Sequence, residues 1–111
     1  MESPLITKSK TFSLNIIKLC RNIKNQSVLT NQLLRCATSI GANIHEAFYA
    51  HGKADFVAKL QISLKECYET EYWLDLLIES GIIAKDYDFL MSDCIELKKI
   101  LISSCKTAKG K

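Results

Sequence analysis

The stretch KADFVAKLQISLKECYETEYWLDLLIES, residues 53–80, predicts a long helix that is apolar on more than one side. One set of its side chains recurs every three or four residues, as on one face of a helix; it comprises Phe56, Leu60, Ser63, Cys67, Leu74 and Leu77. A second apolar set comprises Val57, Leu64, Trp73, Leu76 and Ile78. One apolar side is enough for a helix in a four-helix bundle. The second set therefore predicts that copies of the chain associate with one another.

Three other segments show the same spacing, and helices are predicted at about 4–25, 27–50, 53–80 and 85–107. The remaining stripes consist of Phe12, Ile16, Leu19 and Ile23; Leu29, Leu33, Cys36, Ile40, Ile44 and Phe48; and Tyr87, Leu90, Cys94, Leu97 and Leu101. Ser3 before Pro4 is typical of a helix start, and Ser80 followed by Gly81 of a helix end. Short links favour antiparallel neighbours. The prediction is a single all-α domain over residues 1–111, an up-down-up-down antiparallel four-helix bundle.

The composition of the 111 residues is that of a globular protein, with 48% apolar and 24% charged residues. No apolar run approaches the roughly 20 residues that cross a bilayer, and the start of the chain lacks the features of a signal peptide. We therefore expect a cytoplasmic protein without a membrane partner. The five widely spaced cysteines lie within apolar helical patterns, which favours core packing over the alternative of a reactive thiol.

Charge is distributed unevenly, although the net charge is only +3. Residues 61–97 carry nine carboxylates and two lysines, whereas residues 98–111 carry five lysines and no acid. The candidates for contact with RNA or DNA phosphates are Lys8, Lys10, Lys18, Arg21, Lys24, Lys98, Lys99 and Lys106. A pI near 8.6 falls short of a strongly basic domain, and no nucleic-acid-binding motif is present. The charges alone therefore favour a solvated surface over nucleic-acid contact.

The sequence predicts no enzyme, no cofactor and no metal site. Neither histidine follows a glutamate at the spacing of a di-iron bundle, and Tyr49 stands where a zincin motif after His45-Glu46 would need histidine. An enzyme whose catalytic site is assembled between subunits is the least favoured alternative. The acidic run of Glu66, Glu69, Glu71, Asp75 and Glu79 is either a solvated face or a partner for basic groups, of which Arg35 is the natural candidate.

The middle of the chain resembles a known family. The stretches QLLRCATSIGANIHEA (32–47), ADFVAKL (54–60), ISLKECYETEYWL (62–74) and LLIESGII (76–83) are similar to the signature of the four-helix bundle family of 23S ribosomal RNA intervening-sequence proteins. Cys36 and His45 replace small residues of the pattern, Ala47 replaces glycine in many members, and Ser63 replaces alanine. These changes are compatible with a core position.

The resemblance implies a ring of up-down bundles, typically a homopentamer. The family includes proteins similar to the accessory variability determinant of diversity-generating retroelements, which associates with a reverse transcriptase and nucleic acid. The resemblance places the family's motif on Arg35, Ser39, Asn43, Glu46, Glu69 and Glu71. For most of the family no biochemical activity is established.

Two functional hypotheses follow. The leading one is a non-enzymatic, homo-oligomeric scaffold or accessory protein with RNA or DNA contact through basic surface, or with a partner similar to a reverse transcriptase. The alternative is an adaptor that docks a specific protein through Tyr68, Tyr72 and Trp73 and has no nucleic-acid role.

Overall fold

The computed structural model of the chain describes residues 3–110, which form four helices and no strand. The helices are α1 (Pro4–Arg21), α2 (Ser27–Ala47), α3 (Lys53–Glu79) and α4 (Asp88–Lys109). A 3-10 turn at Lys85–Tyr87 precedes α4. The all-α, up-down-up-down prediction is confirmed.

The arrangement of the helices is that of a four-cornered rod, 46 Å long and 24 by 19 Å across. Both α1 and α3 pack against α2 and α4. As a result, α1 and α3 lie at diagonally opposite corners, and each turns an outer side away from the core.

Local chemistry sets several of the helix ends. Ser3 Oγ accepts the Leu5 N–H at 3.2 Å before Pro4, as predicted for a capped start. At the end of α3, Gly81 adopts a φ of 80°, which costs glycine no side-chain clash, and the chain folds back so that Ile83 N–H donates to the Leu77 carbonyl at 3.1 Å. α1 ends at Arg21, four residues before the predicted boundary, and Asn25 has a left-handed φ of 64° in the link that follows.

The core consists mostly of the predicted stripes. Of the predicted core residues, Ile23, Leu29, Phe56 and Tyr87 are only half-buried, and Phe48 is 43% exposed. Phe48 lies outside the core because α2 ends at Ala47. Phe56 contacts the Phe48 ring edge-on, with centroids 5.7 Å apart, and Val57 takes the core position instead.

The second apolar set predicted for α3 is therefore divided. Val57 is buried in the core, Leu64, Trp73 and Ile78 are half-buried, and Leu76 is exposed. Two polar side chains of α3 are buried as well: Ser63 Oγ donates to the Ile40 carbonyl of α2 at 2.8 Å, and Thr70 Oγ1 donates to the Glu66 carbonyl at 2.7 Å. Their hydroxyls are buried without loss of hydrogen bonding.

Gly41 lies in the middle of α2, opposite α1. A Cβ built there would meet Ser13 Oγ at 3.4 Å and Ser9 Oγ at 3.5 Å. The neighbours are thus hydroxyl side chains rather than the closely approaching backbone that a mid-helix glycine suggests.

Candidate interaction surfaces

The outer side of α3 presents four large apolar or aromatic side chains. They are Ile62 (44% exposed), Tyr68 (53%), Tyr72 (58%) and Leu76 (37%). At 100° per residue they fall within an arc of about 120° on the helix. We call these four residues the α3 outer face. These side chains are exposed because α2 and α4 cover only the other sides of α3.

Trp73 lies beside this face and is held by a polar network. Its indole N–H donates to Glu69 Oε2 at 3.0 Å. The guanidinium of Arg35 forms an ion pair with the same Glu69 oxygen, and its Nη1 lies 3.7 Å from Glu66 Oε2. The Tyr72 ring contacts the Trp73 ring at a centroid distance of 5.2 Å. Arg35 thus joins α2 to α3 by pairing with two acids of the acidic run, Glu66 and Glu69, within a single chain.

The other motif residues lie along the helix contacts. Ser39 Oγ donates to the Arg35 carbonyl at 2.7 Å, and Asn43 Nδ2 donates to the Ser39 carbonyl at 2.9 Å, both within α2. Glu46 Oε1 lies 3.0 Å from Lys59 Nζ and joins α2 to α3. Lys59 could not be identified from the sequence, because nothing local links the start of one helix to the end of the preceding one.

The eight basic candidates divide into two groups. Lys8 Nζ lies 2.8 Å from Glu96 Oε1, and this hydrogen bond raises the pKa of Lys8. Lys98 Nζ lies 2.9 Å from Glu71 Oε1 and 5.2 Å from the centroid of the Tyr68 ring. The other six are exposed and form no ion pair within residues 3–110: Lys10, Lys18, Arg21, Lys24, Lys99 and Lys106.

Three of these six lie on the outer side of α1. Lys10, Lys18 and Arg21 fall within an arc of about 80° and surround Leu14, which is 50% exposed. We call the three cations the basic face of α1. The α1 sequence contains no carboxylate, and Glu46 is the one acid of residues 3–52. Because α1 and α3 lie at diagonally opposite corners of the bundle, the basic face lies opposite the α3 outer face.

A groove runs between α1 and α2 toward the end of the bundle. One part, of about 300 Å³, has Gly41 and Ile44 in its lining. A second part, of about 530 Å³, is lined by Ile6, Lys10, His45, Phe48 and Tyr49. Ile6, Lys10 and His45 line both parts, which makes the groove continuous. The sequence carried no signal for it, because the lining comes from two helices.

The potential metal-ligating side chains of residues 3–110 do not cluster. No three His, Cys, Asp or Glu side chains there are grouped so that they could hold a metal ion. Burial raises the pKa of Cys20 and of Cys36 to about 11, so both are thiols rather than nucleophilic thiolates at neutral pH. Within the same residues, no helix is both long and apolar enough to cross a bilayer.

Comparison with known proteins identifies a family and a similar solved structure. The model of a family described as 23S rRNA-intervening sequence protein matches residues 2–103. A crystal structure described as a protein with unknown function from the S23 ribosomal protein family, from Bacteroides thetaiotaomicron VPI-5482, is 44% identical in sequence. The match covers 92% of this chain and 98% of the chain in that crystal structure, with a TM-score of 0.87. No curated protein matches the chain. Neither description indicates a catalytic family.

Proposed function

The chain belongs to the family of 23S rRNA-intervening sequence proteins, and we propose that it is a non-enzymatic homo-oligomeric scaffold whose copies associate through the α3 outer face. The observation that carries this proposal is the exposure of Tyr68, Tyr72, Ile62 and Leu76 on the longest helix. Large apolar side chains that lie exposed together on one side of a helix are typical of a protein interface. A ring, typically of five subunits, is the assembly that the family resemblance implies.

The composition of the face supports a protein interface in particular. Tyrosine is enriched at the centres of interfaces, because its ring buries apolar area while its hydroxyl remains free to bond. The half-buried Trp73 is held in one orientation by Glu69, so little side-chain freedom remains to be lost on association. The face runs from Ile62 to Leu76, about 21 Å along the 27-residue helix.

The test compares two substitutions that place a charge on an exposed apolar position. Tyr72→Glu lies on the α3 outer face, whereas Val28→Glu replaces a 74% exposed side chain in the first turn of α2. We expect the wild type and Val28→Glu to show the same oligomer by light scattering at micromolar concentration, and Tyr72→Glu to be a monomer with unchanged helix content. A monomeric wild type would contradict the proposal. A monomer that captures another protein through Tyr68, Tyr72 and Trp73 would favour the adaptor instead.

Contact with RNA or DNA is a second candidate function, favoured by the basic face of α1. Its three cations are exposed and unpaired within residues 3–110, and no acid of α1 offsets them. Lysine and arginine that neutralise phosphates release counterions, so binding weakens steeply with salt. Replacing Lys10, Lys18 and Arg21 together with alanine is expected to lower the slope of log affinity against log salt by about 2 to 3. Lys85→Ala, at an exposed lysine in the turn before α4, is the matched control; absence of binding by the wild type at low salt would refute this function.

A further inference from the structure

We propose that the groove between α1 and α2 binds an unpaired base of a single-stranded nucleic acid, with the base stacked on Tyr49 and the adjoining phosphate at Lys10. This inference rests on the nucleic-acid contact proposed above and names the kind of strand and the place where it is recognised. Three observations carry it: the exposed ring, the shape of the groove, and the charge along its edge.

The first observation is the exposure of the Tyr49 ring. Tyr49 follows the end of α2 and is 75% exposed, although an aromatic side chain gains free energy by burial. The His45 ring lies one turn earlier, with a centroid distance of 5.1 Å and a 49° tilt. Together the two rings fix an open aromatic surface at the mouth of the groove. Single-stranded bases stack on such surfaces whatever their sequence, because every base has a π-face.

The second observation is the shape of the groove. The two connected parts, of about 300 and 530 Å³, fall within the range of small-ligand sites. Ile6 and Ile44 contribute apolar lining, and Gly41 adds no side chain that would fill the space. The hydroxyl of Ser13 lies across from Gly41 and offers a hydrogen-bonding group toward the groove. A flat, largely apolar ring with polar edges matches this lining.

The third observation is the charge along the edge of the groove. Lys10 lines both parts and is also the first cation of the basic face, which continues to Lys18 and Arg21 over about 16 Å of helix. Glu46, the one carboxylate of α2, is paired with Lys59 at 3.0 Å. A strand whose base enters the groove therefore meets cations along α1 and no unpaired acid of α2. An acidic segment of a protein would match the cations but would leave the aromatic surface without a stacking partner.

A duplex fits this arrangement poorly. Bases paired inside a helix do not present their faces, whereas unpaired bases can be splayed out onto aromatic side chains. A duplex would reach the basic face of α1 through its phosphates and leave Tyr49 unused. Discrimination between single and double strands therefore distinguishes the base site from simple charge attraction.

The experiment measures fluorescence anisotropy of the full-length protein with a labelled oligouridylate and with an RNA duplex of the same length, at low salt. We expect Tyr49→Ala to weaken binding of the single strand by about 5- to 150-fold and to leave duplex binding unchanged. Tyr49→Phe keeps the ring and is expected to bind as the wild type does. Phe89→Ala removes a 47% exposed ring at the opposite end of the bundle and is the control.

The outcomes separate the two proposals. If the wild type binds neither probe at low salt, the nucleic-acid contact itself is wrong and the base site falls with it. If the wild type binds both probes and Tyr49→Ala loses nothing, or loses the same factor on both, the contact stands and the base site is refuted. Circular dichroism of each variant shows whether helix content is retained, which is expected because the Tyr49 ring is largely outside the core.

Discussion

The Glu69 carboxylate accepts the indole N–H of Trp73, one turn further along α3, at 3.0 Å. The same oxygen pairs with Arg35 of α2, so one acid both orients the single tryptophan and joins two helices. The sequence suggested Arg35 as a partner for the acidic run, and the structure shows which acids it contacts. The network lies directly beside the α3 outer face, where a fixed Trp73 would favour association.

Replacing Glu69 should therefore affect both stability and the environment of Trp73. We expect Glu69→Ala to lower the free energy of unfolding by about 1 to 2 kcal/mol, because a partly exposed ion pair and a hydrogen bond to a half-buried indole are lost together. Glu69→Gln should lose less, since an amide oxygen still accepts from the indole. Urea unfolding at fixed protein concentration and the emission maximum of Trp73 measure the two effects.

The control for this network is Glu79→Ala. Glu79 is exposed at the end of α3 and makes no ion pair within the part of the chain that the structure describes. If Glu69→Ala costs no more stability than Glu79→Ala, the network does not stabilise the contact between α2 and α3.

The fold could be predicted from the sequence where apolar spacing alone decides it. In α4 the predicted Leu90, Cys94, Leu97 and Leu101 are all buried, because the helical period places them on one side whatever the neighbours are. The end of α2 could not be predicted in the same way. Phe48 continues the stripe, yet it follows the last helical residue, and no proline or glycine lies between Phe48 and Gly52 to mark the stop.

The candidate surfaces were harder to predict, because they depend on how distant helices align. Lys8 and Lys10 look alike in the sequence, but the register of α1 against α4 brings Glu96 to Lys8 alone. The α1–α2 groove has the same origin: Lys10 and Tyr49 are 39 positions apart and meet only in the folded bundle. The spacing of side chains in the sequence predicts neither the Lys8–Glu96 ion pair nor the groove.

The difference between Lys8 and Lys10 gives a test in which both variants lose the same charge. Lys10 is unpaired within the described residues and lies on the basic face of α1, whereas Glu96 already neutralises Lys8. Lys10→Ala is expected to lower the salt slope of single-strand binding by about 0.7, and Lys8→Ala to leave it nearly unchanged. Titrations of a labelled oligonucleotide at several salt concentrations measure both slopes. Equal effects of the two variants would mean that net charge, and not the basic face, controls binding.

Gly41 offers a test in which stability and binding should change in opposite directions. Gly41→Ala is expected to raise the free energy of unfolding by about 0.5 to 1 kcal/mol, because alanine is the better residue inside a helix and its Cβ would make only ordinary contacts with two serine side chains. The same methyl group narrows the α1–α2 groove, so single-strand binding should weaken. Urea unfolding and anisotropy measure the pair of effects. A loss of stability would show that α1 and α2 are packed too closely at this point to accept a methyl group.

The buried thiols predict how stability depends on pH. Burial raises the pKa of Cys36 from 9.0 to about 11, and a side-chain hydrogen bond with Cys67 followed by burial raises the pKa of Cys94. Between pH 9 and 11 the unfolded chain therefore binds fewer protons than the folded one, and stability falls as pH rises through this window. For Cys36 the loss at pH 10 is of the order of 1 kcal/mol, since one pKa unit corresponds to roughly that free energy.

Urea unfolding at pH 8 and pH 10, with reductant present, tests this dependence. Cys36→Ala is expected to be less stable at pH 8, because a core side chain is truncated, but to lose less stability than the wild type between the two pH values. Ile40→Val truncates the core without removing a titratable group, so its stability should fall with pH as much as that of the wild type. Lysine ion pairs also weaken at high pH, but they do so equally in all three proteins and cancel in the comparison. If Cys36→Ala and Ile40→Val lose the same stability between pH 8 and pH 10, ionisation of the Cys36 thiol does not limit the alkaline stability of the bundle.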